Sequence, residues 1–229
     1  MNFHDGLIRA IDTSNLYKVK EILSDPSFKY NFISTVIHAY RTGKFDIFKY
    51  LVSISNMDDY RDDKGKNILL TFVVQPANPE KSIRCLSLIL NNTKNIDSVD
   101  DYGNTALFYA TISYARSKEL YMEFSEICYD MLIELLKYGS NPNIIGGNGN
   151  SAYMIAIDYD DIDLLKILRN NSIYGIDDNV MLRAIIDNKY DFVEYLLTYL
   201  ENIDKYLYIA RTCKVINPDI IELLEMNND

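Results

Sequence analysis

The sequence is poor in the residues on which most metal and catalytic sites depend. Its 229 residues include no tryptophan, two histidines and three cysteines. His4 and His38 pair with no cysteine or carboxylate at the spacing of a metal site, so we interpret both as packing or surface residues. No apolar run reaches the ~18 residues that cross a bilayer. These absences predict a protein without a metal, a cofactor or a membrane span.

The cysteines and the N-terminus indicate a cytoplasmic protein. Cys85, Cys128 and Cys213 lie far apart, each in an apolar segment with helical spacing. Because three distant cysteines do not form a disulfide framework, buried reduced thiols are the expected state. The first residues show no basic segment followed by an apolar one, so no signal peptide is expected. The cytoplasm in question is that of the producing cell or of a host.

Basic residues are outnumbered, with 23 lysines and arginines against 33 aspartates and glutamates and a net charge of −10. Nucleic acids and anionic membranes are bound through basic patches, and no cluster of lysines and arginines stands out along the sequence. Neither partner is therefore expected.

Glycine and proline are also scarce, at 9 and 5 residues, which favours helices. With 48% hydrophobic residues, the chain is expected to fold around a sizeable core.

The stretch from Asp100 to Asn143 has the residue pattern of two helices joined by a turn. Gly103 permits a tight turn with positive φ, and Thr105 can cap the first amides of a helix. Gly139 is placed to end the second helix in a left-handed conformation. The asparagine at the end of the stretch suits the turn that leads into the next unit. The stretch therefore predicts one helix–turn–helix unit.

A four-residue core, an apolar residue followed three positions later by an alanine, recurs along the chain, with the large Phe72 in place of alanine in the third copy. In the unit above it consists of Leu107 and Ala110, which would share one helix face. A second apolar helix follows each copy, with apolar residues at i,i+3 and i,i+4 spacing. No unit could bury its apolar face alone, so the units must stack to form a continuous core. The seven cores begin at Leu7, Val36, Leu69, Leu107, Tyr153, Met181 and Leu207.

This pattern resembles the ankyrin repeat, which reads D-x-x-G-x-T-P-L-H-x-A, then a helix with a Leu-Leu pair, then G-A-D-x-N. Residues 101–110, which read DYGNTALFYA, are similar to ankyrin proteins of large DNA viruses, poxviruses especially. The many asparagine, isoleucine, lysine, aspartate and tyrosine residues point to an AT-rich genome. Bacterial ankyrin proteins from such genomes read similarly, so a viral and a bacterial origin both stay open.

The resemblance implies an all-α fold, an ankyrin-repeat solenoid of about seven helix-turn-helix units with degenerate capping repeats. It covers a single domain, residues 1–229, and is strongest in about residues 62–170. In the third unit, Pro76 and Pro79 should end the first helix early. In the fourth, residues 111–124 contain no glycine or proline and predict an extended helix pair. The units span about residues 1–30, 31–61, 62–99, 100–145, 146–176, 177–202 and 203–229.

Ankyrin proteins bind partners through the fingertip turns between units and the concave face of the first helices. The resemblance therefore implies binding residues at the variable positions of the third to fifth units. Tyrosine and arginine are frequent in binding hot spots, so the insert of the fourth unit adds further candidates. For each candidate the competing interpretation is a solvated turn or core packing, and we assign Tyr50 and Tyr195 to the core. The candidate partner-binding residues are Asp63, Lys64, Lys66, Asp101, Tyr102, Asn104, Asn148, Asn150, Tyr159, Tyr114, Arg116 and Tyr121.

Two segments with a superficial likeness to ligand sites are interpreted as turns. Residues 146–149, which read GGNG, lack the following Lys-Ser/Thr and the preceding strand of a phosphate-binding loop. The four aspartates of residues 158–163 lack the glycine and the closing glutamate of a calcium loop. We therefore expect no catalytic or metal-binding residue in either segment.

The function implied by the resemblance is that of a non-enzymatic scaffold, a monomer that binds another protein in the cytoplasm. A virus-encoded antagonist of host innate signalling is the more specific expectation. Many such viral proteins carry a C-terminal F-box-like segment that recruits a ubiquitin ligase. Because the end of this sequence does not resemble that segment, masking of a host protein is favoured. The alternatives are a bacterial effector, an enzyme with a site near residues 111–128, and a homo-oligomer formed through the same insert.

Overall fold

The computed structural model describes residues 3–26, 28, 30–55, 58–74, 79–118, 122–199, 202–212 and 217–228. Within these ranges every regular secondary-structure element is an α-helix, which confirms the expected all-α class. None of the helices there is long and apolar enough to cross a bilayer. The fourteen helices are α1 (Phe3–Asp12), α2 (Leu16–Leu23), α3 (Phe32–Arg41), α4 (Phe45–Ser53), α5 (Ile68–Val74), α6 (Pro79–Leu90), α7 (Ala106–Ser117), α8 (Met122–Lys137), α9 (Ala152–Asp158), α10 (Ile162–Asn171), α11 (Asp178–Ile186), α12 (Tyr190–Leu197), α13 (Ile203–Thr212) and α14 (Pro218–Met226).

The helices stack in sequence order as two layers. Each odd-numbered helix packs on the even-numbered helix that follows it and on the next odd-numbered helix. Even-numbered helices pack on one another from α2 to α10, and α12 packs on α14. Apolar side chains from both layers form one core that runs from Leu7 to Leu224. Burial is therefore shared between neighbours, as a stack of units that are unstable alone requires.

Small side chains let the odd-numbered helices approach one another closely. The alanine of each four-residue core is almost fully buried, as at Ala39, Ala110 and Ala156. In the third unit Phe72 replaces this alanine and is also buried. Its ring centroid lies 4.5 Å from that of Tyr40 and 6.4 Å from that of Phe48. An aromatic cluster therefore fills the space between the second and third units.

Four of the turns between the two helices of a unit have the same main-chain geometry. In each, one residue has a positive φ, between 54° and 71°, and the next amide donates to the carbonyl of the core alanine five positions earlier. These hydrogen bonds measure 2.8 to 2.9 Å. The turn is a Schellman-type helix end, which satisfies carbonyls that the helix leaves free. The positive-φ residues are Ser14, Gly43, Asp160 and Asn188.

The fourth unit contains the expected long helix pair. With 12 and 16 residues, α7 and α8 are each the longest helix of their layer within the described ranges. Thr105 accepts a hydrogen bond from the amide of Phe108 at 3.1 Å, and Gly139 has a φ of 89°, as the sequence predicted. In the third unit α5 ends at Val74, and residues 75–78 lie outside the described residues.

The cysteines and two assigned tyrosines agree with a core role where the structure describes them. Cys85 and Cys128 are buried free thiols, and burial raises the pKa of Cys85 to about 11. Such a thiol is protonated at neutral pH and unreactive. Tyr50 and Tyr195 are half-buried against the core. Cys213 and the side chain of His4 lie outside the described part of the chain.

Candidate functional site

Residues 62–66, 100–104 and 146–150 form three fingertips with the same turn. In each, the first amide donates to the carbonyl of the fifth residue, at 2.9, 3.1 and 2.9 Å respectively. The Oδ1 atoms of Asp62 and Asp100 each accept two further amides of their own turn. The first two turns are thus held by their own main chain and first side chain, whereas in the third the Oδ1 of Asn148 accepts the amide of Asn150 at 3.1 Å. The fourth residues, Gly65, Gly103 and Gly149, all have positive φ.

Main-chain hydrogen bonds join the three fingertips into one ladder. The amide of Asp101 donates to the carbonyl of Lys64 at 3.1 Å, and that of Gly147 donates to Tyr102 at 2.7 Å. The approach is so close that a Cβ on Gly147 would lie 2.2 Å from the carbonyl oxygen of Tyr102. The GGNG segment is therefore a turn, as predicted, and its glycines permit contact with the neighbouring fingertip.

An open groove of about 700 Å³ follows the fourth and fifth fingertips. Its rim carries Tyr102, whose side chain is 60% exposed, and the exposed Asp101 and Asn148. Asn104 is half-buried and donates from Nδ2 to the hydroxyl of Tyr109 at 3.3 Å. Four of the candidate residues thus meet at one place. We call it the fingertip groove; it is lined by Asp101, Tyr102, Gly103, Asn104, Tyr109, Gly147 and Asn148.

Tyr109 organises the floor of this groove and was missed by the sequence analysis. Its hydroxyl donates to Oδ2 of Asp100 at 2.6 Å, and the ammonium of Lys66 lies 4.6 Å from its ring centroid. Burial and the bond to Asp100 raise the pKa of Tyr109, so it remains a hydrogen-bond donor at neutral pH. The signal that could have found it is its position directly before Ala110, which the repeat pattern leaves variable.

The third fingertip extends the same surface. Asp63 and Lys64 are exposed, and Lys66 is half-buried over the ring of Tyr109. Because Lys64 is also the main-chain acceptor for Asp101, its main chain lies next to the fourth fingertip. The candidates of the third and fourth units therefore form one surface of alternating charge around an exposed tyrosine.

Three candidates are used mainly to connect neighbouring units. Asn150 donates to Asp158 at 2.6 Å and accepts from Arg183 at 3.0 Å. The Nε of Arg116 donates to the hydroxyl of Tyr159 at 2.9 Å. These side chains are only partly available to a partner, since binding would compete with the hydrogen bonds that they make within the chain.

Tyr114 is placed differently from the expectation of an exposed contact residue. It is 9% exposed and belongs to the core, because the extended α8 covers it. Its ring forms one wall of a groove of about 460 Å³ that also includes Lys118 and Glu126. Tyr121 lies outside the described residues.

The groove beside Tyr114 is the place where the alternative of an enzyme would need its site. Burial raises the pKa of Tyr114 despite the nearby Lys118 ammonium. Burial is the largest single influence on the Lys118 pKa and lowers it, but the hydrogen bond and charge of Asp161 together with Tyr114 outweigh burial, so that pKa is raised. A protonated phenol and a charged ammonium are donors, and neither is a general base at neutral pH.

The aspartates of residues 158–163 extend from the end of α9 through the turn into the first turn of α10, and they have cationic partners. Asp158 pairs with Arg183, Asp160 with Lys189, and Asp161 with Lys118, at 2.5 to 2.7 Å. Across the described ranges, no group of three or more histidine, cysteine, aspartate or glutamate side chains could hold a metal ion. His38 meets Asp12 of the preceding unit at 2.7 Å, a surface contact.

Comparisons with known proteins support the repeat pattern over part of the chain. No family model matches this sequence. Two variola virus sequences, both named ankyrin repeat protein OPG189, are each 30% identical to it over 125 residues. The match covers 52% of this chain and 21% of either relative, so the chain spans about a fifth of the length of the curated relatives it matches. Over half of its length, the chain is therefore similar to a poxvirus ankyrin repeat protein.

Proposed function

We propose that the chain is a single ankyrin-repeat domain of seven units, one for each helix pair from α1–α2 to α13–α14. The similarity to a variola virus ankyrin repeat protein and the repeated core alanines support this division. Ankyrin repeats generally mediate protein–protein interaction. The proposed function is accordingly that of a monomeric, non-enzymatic scaffold that binds another protein.

The surface proposed to bind is the ladder of the third to fifth fingertips together with the fingertip groove. The observation that carries this proposal is the exposed ring of Tyr102 at the rim of the fingertip groove. The main chain of its fingertip is hydrogen-bonded to the fingertips on both sides. A tyrosine held in this way offers a large contact area with little entropy to lose on binding. Asp63, Lys64 and Asp101 alternate in sign around it, which favours a partner surface of mixed charge.

The more specific proposal is that the bound protein belongs to a host and is masked. The naming of the relatives as poxvirus ankyrin repeat proteins supports a viral role. Antagonism of innate signalling in the cytoplasm of the infected cell is the role this similarity favours. Masking needs only affinity and coverage of the partner's surface, both of which a rigid row of fingertips can supply.

Affinity capture from candidate host lysates, read by mass spectrometry, tests the proposal. The wild-type chain is compared with Tyr102→Ala/Lys64→Ala and with a control double variant, Tyr208→Ala/Lys94→Ala. The control removes the same residue types from exposed positions outside the fingertip ladder. We expect the fingertip variant to lose the captured protein, with a fall in affinity of roughly tenfold or more, and the control to retain it.

The melting temperature distinguishes a lost contact from a damaged fold. We expect both double variants to melt within about 2 °C of the wild type, because the substituted side chains lie on the surface. Equal capture by the wild type and the fingertip variant would contradict the proposed surface. A large fall in melting temperature would place these side chains in a structural role instead.

A further inference from the structure

The net charge of the protein is distributed unevenly along the stack. Residues 1–99 carry 13 lysines and arginines against 11 aspartates and glutamates, whereas residues 100–229 carry 10 against 22. The first three units are therefore slightly basic, and the acidity of the chain belongs entirely to the last four. An acidic total of this kind conceals a local field of the opposite sign.

The basic residues of the first units meet at a groove between α2 and α4. The groove has a volume of about 620 Å³ and receives three lysines, with Asp46 as its one acidic lining residue. Lys20, Lys44 and Lys49 are separated by up to 29 positions, so no basic cluster is visible in the sequence. We call this the basic groove; the lining residues that matter are Lys20, Lys44, Phe45, Asp46, Lys49 and Tyr50.

The three lysines of the basic groove are not neutralised by neighbouring side chains. Within the part of the chain that the structure describes, none of them has a carboxylate within 4.0 Å. In contrast, Lys118, Lys166 and Lys189 in the later units are each paired with an aspartate. The positive charge at the basic groove is therefore available to an external anion.

The floor of the basic groove is aromatic. Phe45 and Tyr50 are both half-buried lining residues. The Lys20 ammonium lies 5.0 Å from the ring centroid of Tyr50, and the Arg84 guanidinium from α6 lies 4.4 Å from that of Phe45. A ligand that fits such a floor needs an apolar side chain as well as negative charge. Lys44, at the N-cap of α4, provides no side-chain acceptor for the first amides, so the positive end of this helix adds to the field.

We propose that the basic groove binds an acidic peptide segment of a partner protein, with an apolar side chain on Phe45 and Tyr50 and carboxylates beside Lys20, Lys44 and Lys49. The basic groove shares no lining residue with the fingertip groove, so it constitutes a second interaction surface. A short acidic peptide senses mainly the local charge, because the acidic units farther along the stack are screened beyond a Debye length of about 8 Å. A nucleic acid would extend over those acidic units and be repelled.

Fluorescence anisotropy with defined probes tests this proposal. The peptide probe is fluorescein-labelled and carries glutamates around a central phenylalanine, and a second peptide replaces the glutamates by lysines. A labelled single-stranded oligonucleotide that is long enough to extend from the basic groove over the acidic units is the third probe. Wild-type protein is expected to bind the acidic peptide at low salt, to bind the other two more weakly, and to lose affinity when salt rises from about 50 mM to about 500 mM.

Two double variants with the same change in charge locate the binding site. Lys20→Gln/Lys49→Gln is expected to raise the Kd for the acidic peptide about tenfold, roughly threefold for each lysine. Lys137→Gln/Lys166→Gln changes two exposed lysines of α8 and α10 and is expected to leave the Kd within about twofold. Circular dichroism checks that both variants keep the helical content of the wild type.

Three results would overturn the proposal. The first is that wild-type protein does not bind the acidic peptide at low salt. The second is an equal loss of affinity in both double variants, which would mean that total charge and not the basic groove is sensed. The third is tighter binding of the oligonucleotide than of the acidic peptide, which would assign the basic groove to nucleic acid. The fingertip variant Tyr102→Ala/Lys64→Ala should bind the acidic peptide like the wild type, so the two surfaces can fail independently.

Discussion

The fingertips and the inter-helix turns each repeat a residue with positive φ, yet they differ in the amino acid that occupies it. All three fingertips use glycine, whereas the inter-helix turns use serine, glycine, aspartate and asparagine. At Gly65 an added Cβ would lie 2.2 Å from Oδ1 and 2.8 Å from the amide nitrogen of Asp101 in the next fingertip. At Gly43, with nearly the same φ, it would meet no atom within 4 Å.

This comparison separates two reasons for glycine that a sequence cannot tell apart. A left-handed backbone costs an ordinary residue energy, but asparagine and aspartate tolerate it. Contact with a neighbouring unit excludes any Cβ, whatever the φ. Stacking therefore restricts Gly65, and Gly103 as well, where a Cβ would lie 3.2 Å from the amide nitrogen of Gly147. At Gly149 a Cβ would meet no atom within 4 Å, so this glycine, like Gly43 of the inter-helix turns, is specified by its positive φ alone.

The largest effect is expected for Gly147→Ala, at the tightest contact in the fingertip ladder. The new Cβ would lie 2.2 Å from the main-chain carbonyl oxygen of Tyr102, and a carbonyl cannot rotate away as a side chain can. We expect a loss of about 3 kcal/mol in the free energy of unfolding, at the upper end for overpacking. Urea unfolding gives the value.

Gly175→Ala is the control for this variant, because a Cβ there would meet no atom within 4 Å. Its free energy of unfolding should stay within about 0.5 kcal/mol of the wild type. Similar stabilities for Gly147→Ala and Gly175→Ala would show that the fingertips are not in close contact in solution.

The next test is to overpack the core between the fingertips and the inter-helix turns. Ala110→Leu places three more carbon atoms between α7 and its neighbours at a position that is 1% exposed. We expect a loss of about 1–3 kcal/mol. Ser113→Leu, at a half-buried position of the same helix, should change stability by less than about 0.5 kcal/mol. A stable Ala110→Leu variant would mean that the first helices are separated more widely than a stacked repeat allows.

Asparagine at the two matched glycines compares the edges directly. Gly65→Asn and Gly43→Asn introduce the same side chain at φ values of 72° and 71°. We expect Gly65→Asn to lose roughly 1–3 kcal/mol, because Asp101 must shift, and Gly43→Asn to lose about 1 kcal/mol or less. Thermal unfolding of both variants in one buffer measures the difference. Equal losses would mean that φ alone selects glycine at both edges.

The smallest effect is expected at the ion pair that ties the long α7 to the next inter-helix turn. Lys118 lies 2.6 Å from Asp161, and Lys118→Ala should cost less than about 1 kcal/mol because the pair is partly exposed. Since the folded-state pKa of Lys118 is raised, this contribution is complete below the ordinary lysine pKa of 10.5 and is lost as pH rises through the higher folded value. Lys137→Ala, with a longer contact of 3.7 Å, is the control. An equal loss in the free energy of unfolding for Lys118→Ala and Lys137→Ala at neutral pH would contradict a specific contribution from the ion pair between Lys118 and Asp161.

Local signals along the chain predicted much of this fold. The cap at Thr105, the left-handed Gly139 and the helical continuation through residues 111–117 all depend on neighbours within a few positions. The exposure of Tyr102 also follows locally, from its place at the tip of a turn closed by Gly103. In contrast, Tyr114 lies on the same helix as Tyr109, and only the packing of α8 on α7 decides that Tyr114 is buried while Tyr109 stays half-buried at the fingertip groove.

The amino-acid sequence by itself determined which segments become helices, where they end and that they must stack, because caps, glycines and apolar spacing act over one or two helical turns. Only the tertiary structure decided which surfaces result. It joined Tyr102 to Gly147 through their main chains and brought Lys20 and Lys49 to one groove. Residues about 30 to 45 positions apart meet there, and such distances are set by how one unit packs on the next.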